Sequence, residues 1–568
     1  MNGSSLWIVL HRMRVPLLVL ISTYTISIIG FLIIQGIDAN GHPYHMSIFD
    51  AFYVVTYTAT TIGFGELPYE FTYAQRIWMS MTIYAIVLGW FYSIGTLVAL
   101  FQDKFLIAQL TESRFLKQVR NMKQHFLIVL GYNHITSEII KKANKDGIRT
   151  IVIEKDQLKV DELNLENFTP SVPCLVADVY DPIALEKAGM NSPYCKAVVS
   201  LFQDDTLNLR VAITTKYLNK KVKVAVKTTR NSITEDLRDL EVEVVENPFE
   251  IIAEQVEMSL KYPHLLIVQK WLYDIEPLNA NTMILPKGQY VVCGFGRLGK
   301  KLFDIFKLNA IKAIFIEPDE DAIKDLPPEY KKDVLIGRAD DKRMLLMAEI
   351  FTADVLFAGT DDDMKNLSII TAARQLNPTI KVIARENKIE DMSLFNNAKI
   401  DMLFIPSKVL IHKTIHSLIS PYSSKFFDML KAKKDDEFAK QLIQRLTVTI
   451  GSNPILFGMA ITYEKSLAIY NAIANDKKTV TMEVYKRSRK NTKKTNKVIP
   501  LILLRGKEQF LLPEDDTILQ INDRILFASD EETKNDIEYI AQNFYEFHYV
   551  LTGKEKSVFK NILEHRKG

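Results

Sequence analysis

Gln289-Tyr-Val-Val-Cys-Gly-Phe-Gly-Arg-Leu-Gly299 decides the fold of most of this chain. A short apolar run enters a Gly-x-Gly-x-x-Gly turn, and a helix-like segment follows. Strand, glycine turn and helix in that order open a βαβ unit. Glu317 closes the next apolar run, 23 positions past Gly294 (294 to 317). Gly294, Gly296 and Gly299 let backbone N–H groups approach a pyrophosphate, and the helix N-terminus behind them favours negative charge. A carboxylate at Glu317 accepts ribose hydroxyls and repels a 2′-phosphate. The ligand expected in such a crevice is NAD or an ADP- or ATP-type nucleotide, in preference to NADP. Phe295, Arg297 and Leu298 complete the turn. Arg338, Ala339, Asp340, Thr360 and Asp361 fall at later strand ends beside the same crevice. Arg297 and Arg338 suit phosphate contacts; a surface ion pair suits them as well.

Upstream, the same pattern occurs again. His125-Phe-Leu-Ile-Val-Leu-Gly131 reads as a buried strand ending in a turn, and Glu154 follows Gly131 by the same 23 positions (131 to 154). Val176-Ala-Asp178 matches Arg338-Ala-Asp340, and Asp204-Asp-Thr-Leu-Asn208 matches Asp362-Asp-Met-Lys-Asn366. Val222-Lys-Val-Ala-Val-Lys227 matches Ile380-Lys-Val-Ile-Ala-Arg385, and Pro248 matches Pro406. A repeat in register at so many places indicates duplication. Alternating strands and helices indicate a doubly wound, Rossmann-like α/β fold for each copy. The first copy departs at its turn: Gly131-Tyr-Asn-His-Ile-Thr136 keeps only the first glycine. Asn133 and Thr136 put side chains where a pyrophosphate needs space. That copy is either structural or a site for a different ligand.

The segment 250–286, with Trp271 and Tyr273, is expected as a pair of crossover helices docking the two copies. Residues 406–445 read as helical and 446–530 as β-rich, with Ile499-Pro-Leu-Ile-Leu-Leu-Arg505 and Arg524-Ile-Leu-Phe-Ala528 as strands. The basic run Lys486-Arg-Ser-Arg-Lys-Asn-Thr-Lys-Lys494 suits a solvated loop, or contact with anionic lipid.

The N-terminal part is of another kind. Residues 15–34 and 77–102 carry no charge over lengths that span a bilayer. A cleaved leader fits poorly, because the first run is too long and no small-x-small site precedes Asp38. Basic residues flank the two runs on the outer sides (His11, Arg12, Arg14; Lys104, Arg114, Lys117, Arg120, Lys123), and acidic ones dominate the loop between them. That bias places both termini in the cytoplasm of a multi-pass protein of the cell (plasma or inner) membrane. Gly89 and Gly95 lie inside the second run, where glycine serves bending or close helix packing. Between the runs, residues 46–66 suit a re-entrant helix capped by Ser47 or Asp50. It leads into Thr58-Ala-Thr-Thr-Ile-Gly-Phe-Gly-Glu66. Irregular backbone at membrane depth is tolerated where protein buries it or it lines a watery cavity. Backbone of alternating hand through Thr61, Ile62, Gly63, Phe64 and Gly65 aims carbonyls at one axis, where they replace the water shell of a cation. Two spans cannot enclose a pore, so a cyclic oligomer is required.

Thr61-Ile-Gly-Phe-Gly-Glu66 resembles the selectivity filter of potassium channels, usually Thr-Val-Gly-Tyr-Gly-Asp. Ile62, Phe64 and Glu66 are its departures. Phe64 removes a hydroxyl that braces the filter from behind, and Glu66 lengthens the arm at the outer mouth. Residues 124–408 resemble the RCK (KTN) domains that regulate potassium channels and transporters, and Leu512 to Asp523 resembles the small lobe that follows them. The resemblance implies a homotetramer in the bilayer, K+ as the permeant ion, and Gly89 or Gly95 as the gating hinge. It also implies a cytosolic gating ring of eight Rossmann-like units that binds nucleotide, with Ca2+ as a further effector. Asp361, Asp362 and Asp363 are an acidic group near the crevice that suits a divalent cation without the spacing of an EF-hand loop, although a helix cap explains them better. The division expected is a pore domain at 1–103 and a linker at 104–123. A first RCK domain at 124–285, a second at 286–408, and C-terminal helices with an α+β lobe at 409–568 follow.

Length and charge agree with this. A chain of 568 residues exceeds one core. A net charge of +3 gives no nucleic-acid signature. Cys174, Cys195 and Cys293 lack metal-ligand spacing and are expected as reduced thiols. Two other classes explain part of the pattern. A membrane-anchored NAD-dependent oxidoreductase explains the glycine turn but neither residues 58–66 nor the missing catalytic His/Lys/Tyr set, so no enzyme is expected. A regulatory subunit of a separate transporter would conduct nothing by itself.

Overall fold

The computed structural model describes residues 3–280, 284–387, 391–419, 421–491 and 494–555. They form two units, Met1–Met122 and Lys123–Gly568.

In the first unit, helices Gly3–Ile33 and Tyr73–Phe101 pack together. Among the described residues, these are the two helices long and apolar enough to cross a membrane, over Met13–Ile33 and Tyr73–Leu100. The expected runs overshoot them by one residue, Ile34 and Gln102, where the helices have ended. Strands β1 (Gly36–Ile37) and β2 (Pro43–Tyr44) form a small antiparallel ladder after the first helix. Helix Ile48–Ala59 follows. Ser47, rather than Asp50, is its N-cap: the hydroxyl accepts the Asp50 N–H at 3.1 Å. The helix is held by a core of Phe31, Met46, Val54, Val55, Tyr57, Phe71 and Ile86. The two glycines of the second long helix differ in surroundings. A Cβ at Gly89 would lie 3.0 Å from Thr23 Oγ1, whereas one at Gly95 meets nothing within 4 Å. Gly89 thus serves close helix packing, and nothing among the described residues of the chain crowds Gly95. The expected charged linker is helical over most of its length, Lys104–Asn121.

In the second unit, β3 (Phe126–Leu130), β4 (Arg149–Glu154), β5 (Cys174–Val176), β6 (Cys195–Ser200), β7 (Lys223–Lys227) and β8 (Val244–Glu246) form one sheet. Its order is β5-β4-β3-β6-β7-β8, and all pairs are parallel. The second copy repeats it with β9 (Gln289–Cys293), β10 (Lys312–Glu317), β11 (Val334–Ile336), β12 (Val355–Ala358), β13 (Lys381–Arg385) and β14 (Met402–Phe404). Its order is β11-β10-β9-β12-β13-β14. Helices cover both faces, which is why the central strands are almost wholly apolar. The strand order reverses between β3 and β6 and between β9 and β12, and a ligand crevice opens at such a point.

The copies exchange their last helices. Helix Pro248–Lys261 leaves the first sheet and puts Phe249, Ile252, Val256 and Leu260 into the core of the second, beside Phe303, Phe306 and Phe315. Helix Pro406–Ile419 returns Leu410, Ile411, Ile415 and Leu418 to the core of the first, beside Leu127, Ile139 and Ile140. Each such side chain contributes roughly 1.5–3 kcal/mol on burial, so the copies are welded by their cores rather than by a polar surface.

The C-terminal lobe is an antiparallel sheet of β15 (Ile455–Ala460), β16 (Val498–Arg505), β17 (Glu508–Leu511) and β18 (Arg524–Ser529), in the order β15-β18-β16-β17. Ile499, Leu501, Ile502 and Leu526 face helices Pro263–Leu272, Pro421–Lys433 and Asp436–Thr449. Trp271 belongs here: its Nε1–H donates to Pro454 O at 2.9 Å. The first of the two helices in 250–286 docks the copies; the second supports the lobe, while at its end Tyr273 packs on His416 of the exchanged helix, 5.6 Å between ring centroids, and Asp274 pairs with Lys142 of the first copy at 3.1 Å. The basic run is locally neutralised by Lys486–Asp515, Arg487–Glu483, Arg489–Asp536 and Lys490–Glu532 pairs. Lipid contact thus loses its charge argument. Thr492 and Lys493 of that run lie outside the described residues.

Candidate functional site

The crevice at the β9/β12 switch has a volume of about 610 Å³. Its three glycines are there for three different reasons. Gly294 has φ +104° and lies so close to β12 that a Cβ would sit 3.3 Å from Gly359 O. Gly299 lets the helix Arg297–Leu308 press on the turn: a Cβ there would be 2.2 Å from Gly294 O. Gly296 has φ −73° and no atom within 4 Å of a Cβ, so nothing among the described residues demands glycine there. Gly296 is also the N-cap, and no side chain caps the helix. Its first N–H groups face the crevice without a partner from a capping side chain, which is the arrangement that receives a phosphate.

Glu317 ends β10 below this turn. Its Oε2 accepts the Phe295 N–H at 2.6 Å and its Oε1 the Asp319 N–H at 3.1 Å. Leu298, Gly299, Ala339, Asp340, Thr360 and Asp361 also line the crevice. Phe295 does not line the crevice. Its ring packs in the core, 5.3 Å from Phe315 and 5.6 Å from Phe303. Arg338 is exposed and makes a two-pronged pair with Asp340, at 2.7 and 3.1 Å. That pair holds the Asp340 carboxyl below the usual carboxylate range. Arg297 stacks over Phe249 at 4.7 Å and donates to Thr229 Oγ1 at 2.8 Å.

Among the lining residues that the sequence reading does not place at the site are Phe249, Lys365 and Arg385. Phe249 arrives on the exchanged helix, which no local pattern announces. Arg385 had a signal, because it ends its strand in register with Lys227 of the first copy. The acids after Thr360 serve as a helix start. Asp362 accepts the Lys365 N–H at 3.0 Å and Asp363 the Asn387 N–H at 2.8 Å. Among the described residues no group of three or more acidic, His or Cys side chains is set to hold a metal ion. Burial pushes all three thiols up to about 12, so they are inert.

In the first unit, Thr61, Gly63 and Gly65 have φ of +59°, +64° and +98°. Every second residue of 61–65 is therefore left-handed. The Ile62 and Gly63 N–H groups both donate to Tyr57 O, at 2.9 and 3.3 Å, folding the segment back on its helix. The Tyr57 hydroxyl donates to Gly65 O at 2.5 Å, which supplies a brace that Phe64 cannot. The Phe64 ring lies 5.8 Å from Tyr57 and 6.1 Å from Tyr53. Glu66 takes Arg76 at 2.9 Å on each oxygen and the Phe71 N–H at 2.8 Å. In a single chain, Ile62 and Phe64 are 60% and 59% exposed.

Residues 127–248 and 290–406 match the TrkA-N domain family. Each of the two copies is thus similar to one TrkA-N domain. Potassium channel protein 1 of Methanocaldococcus jannaschii is 27% identical over 194 residues, 34% of this chain and 57% of that protein. Probable potassium channel protein 2 of the same organism is 31% identical over 144 residues, 25% of this chain and 39% of that protein. The chain thus spans about half the length of these relatives, or less. The solved structure of the GsuK channel shares the fold, with a TM-score of 0.51 at 14% identity over 94% of this chain and 99% of that one.

The first TrkA-N domain has filled its own crevice. A Cβ at Gly131 would meet the Phe202 ring at 2.6 Å. Asn133 Oδ1 accepts the Thr136 N–H at 3.1 Å, and Thr136 Oγ1 accepts the Asn133 N–H at 2.8 Å. This capping box uses the helix N-terminus that a phosphate would need. Glu154 is 7% exposed and accepts the N–H groups of Tyr132, Lys155 and Asp156. The geometry therefore favours the structural alternative for this domain.

Proposed function

We propose that four copies of this chain form a potassium channel in a cell membrane, gated by a nucleotide bound to the second TrkA-N domain. The observation that carries the proposal is the alternating backbone of Thr61 to Gly65, set between two helices of spanning length. Repeated around an axis, such segments offer rings of carbonyls to a dehydrated K+ ion. Assembly gives the exposed Ile62 and Phe64 side chains somewhere to pack. Residues 1–103 would be the pore, with both termini in the cytoplasm, and the second unit would contribute two domains to a gating ring.

The channel binds and gates; it performs no chemistry. NAD, ADP or ATP fits the crevice by its glycine turn, bare helix N-terminus and Glu317. A ligand shifts the pore only by its differential affinity for two arrangements of the ring. Helix Lys104–Asn121 is the covalent route for that pull, and Gly95 is the better hinge, since Gly89 is committed to packing. The test is potassium flux through purified protein in liposomes, with and without NAD, ADP, ATP and calcium. Flux that prefers potassium to sodium and responds to a nucleotide is expected. A protein that is monomeric in lipid, or passes both ions alike, defeats the proposal.

A further inference from the structure

The spanning helices Gly3–Ile33 and Tyr73–Phe101 meet in a row of specific contacts. The Trp78 Nε1–H donates to Ser27 O at 3.0 Å. Its indole lies against Gly30, where a Cβ would be 2.0 Å from the ring. Thr23 fills the notch at Gly89. One turn beyond that notch, the Ser93 hydroxyl donates to Pro16 O at 3.0 Å. Residues 78, 89 and 93 fall on one face of their helix.

The Ser93 contact is of a distinct kind. A hydroxyl carries one proton, and Ser93 has two acceptors for it: Pro16 O across the interface, and Gly89 O at 2.8 Å on its own helix. Ser93 is 6% exposed. If the helices part, the bond to Gly89 O remains, so no donor is stranded in hydrocarbon, where that is costly. The contact can therefore break and reform for the cost of one hydrogen bond. Pro16 stands inside the first helix, where its ring removes a backbone N–H. Hydroxyls of a neighbouring helix commonly serve the backbone at such breaks.

Beyond Ser93 the grip loosens. From Ile94 to Ala99 no residue is buried, and Leu100 is the next, at 5% exposure. Gly95, where glycine weakens a helix, falls in this stretch. Helix Lys104–Asn121 follows. A pull along it bears on 94–101 and then on Ser93, the first hydrogen bond between the spanning helices that it meets among the described residues.

We propose that Ser93 is a releasable latch: its hydroxyl holds the second spanning helix to Pro16 in one arrangement of the pore and falls back on Gly89 in the other. This rests on the channel reading of the first unit and adds to it the contact that resists the pull. The size suits a switch. A hydroxyl bond between helices in a membrane biases an equilibrium by about threefold on average. Four chains releasing together raise that to about 80-fold, inside the roughly 5- to 150-fold range of an allosteric coupling.

The test uses the full chain with Leu100→Cys as probe, since the native thiols are buried and inert. In detergent micelles, labelling of that cysteine by a water-soluble maleimide follows the released population. Adding Ser93→Ala should speed labelling by at least about threefold. Ser93→Thr keeps a hydroxyl and should label at the starting rate. Equal rates with serine and alanine overturn the inference. A threonine variant as fast as the alanine one overturns it too, because size and not the hydrogen bond would then be responsible. In liposomes, Ser93→Ala should shift the nucleotide concentration for half-maximal potassium flux by up to about 80-fold. Faster labelling in a protein that passes no potassium supports the latch between the helices and removes the channel reading. Nucleotide-gated flux that is the same with serine and alanine does the reverse.

Discussion

Gly296→Ala separates the crevice from the fold more cleanly than any other change. A Cβ at this position meets no atom within 4 Å, and φ −73° is open to any residue. Alanine restricts the unfolded chain, worth about 0.4–1 kcal/mol of stability, and is a poorer N-cap than glycine by a comparable amount. The two nearly cancel, so the Tm of the second unit should move by less than about 3 °C. Binding should fail. The methyl group stands where a phosphate meets the helix N-terminus, and losing two charge-assisted bonds at roughly 1.5–3 kcal/mol each weakens the ligand by about 10² to 10⁴. Gly299→Ala is the contrast. Its Cβ would be 2.2 Å from a backbone oxygen, and overpacking of that kind costs about 1–3 kcal/mol. Nucleotide titration and thermal unfolding of the two purified variants give both quantities. The reasoning fails if Gly296→Ala binds ADP like the unaltered protein, or if it loses as much Tm as Gly299→Ala.

Tyr57→Phe removes the donor to Gly65 O and leaves the ring. The lost bond is worth about 1–3 kcal/mol, and the potassium-to-sodium flux ratio should fall; an unchanged ratio would show that the brace is idle. Arg76→Gln breaks a solvent-exposed pair with Glu66, so the loss of stability should be small and larger at low salt than at high salt; equal melting at both salts counts against it. Burial and the nearby Lys142 depress His412 to about 4 and His416 to about 3. The unfolded chain, titrating near 6.5, then binds more protons than the folded one. Stability should be complete above pH 6.5 and decline as pH falls toward 4 and 3. His416→Phe should flatten that decline in an acid titration of unfolding, and an unaltered curve would exclude the histidine as its source.

Much of this architecture was legible because it is repeated. Two strand–turn–helix units with the same glycine-to-glutamate interval predict two sheets of the same order, and residues 61–65 predict their own alternating backbone from two glycines. What stayed hidden depends on contacts distant in sequence. Phe249 lies about 45 positions before the turn it covers (249 to 294), and only the exchange of helices brings it there. Trp271 looked like part of the dock between copies, but its partner, Pro454, lies in a lobe whose position no periodicity announces. Phe295 fell inside the motif, yet motif letters do not say which way a side chain points, and the core claimed the ring. Arg338 and Arg297 looked equivalent as phosphate ligands; a neighbouring aspartate occupies the first and an aromatic face the second.

The mutual loan of terminal helices has an evolutionary consequence. Either half, expressed alone, would expose the cavity left by the helix it borrows and the apolar helix it lends. Natural recombination can therefore move the pair, or lose the pair, but can hardly shuffle one member. The first TrkA-N domain could thus give up its own pocket and still be retained: its debt to its sibling is structural, and the sibling cannot stand without it.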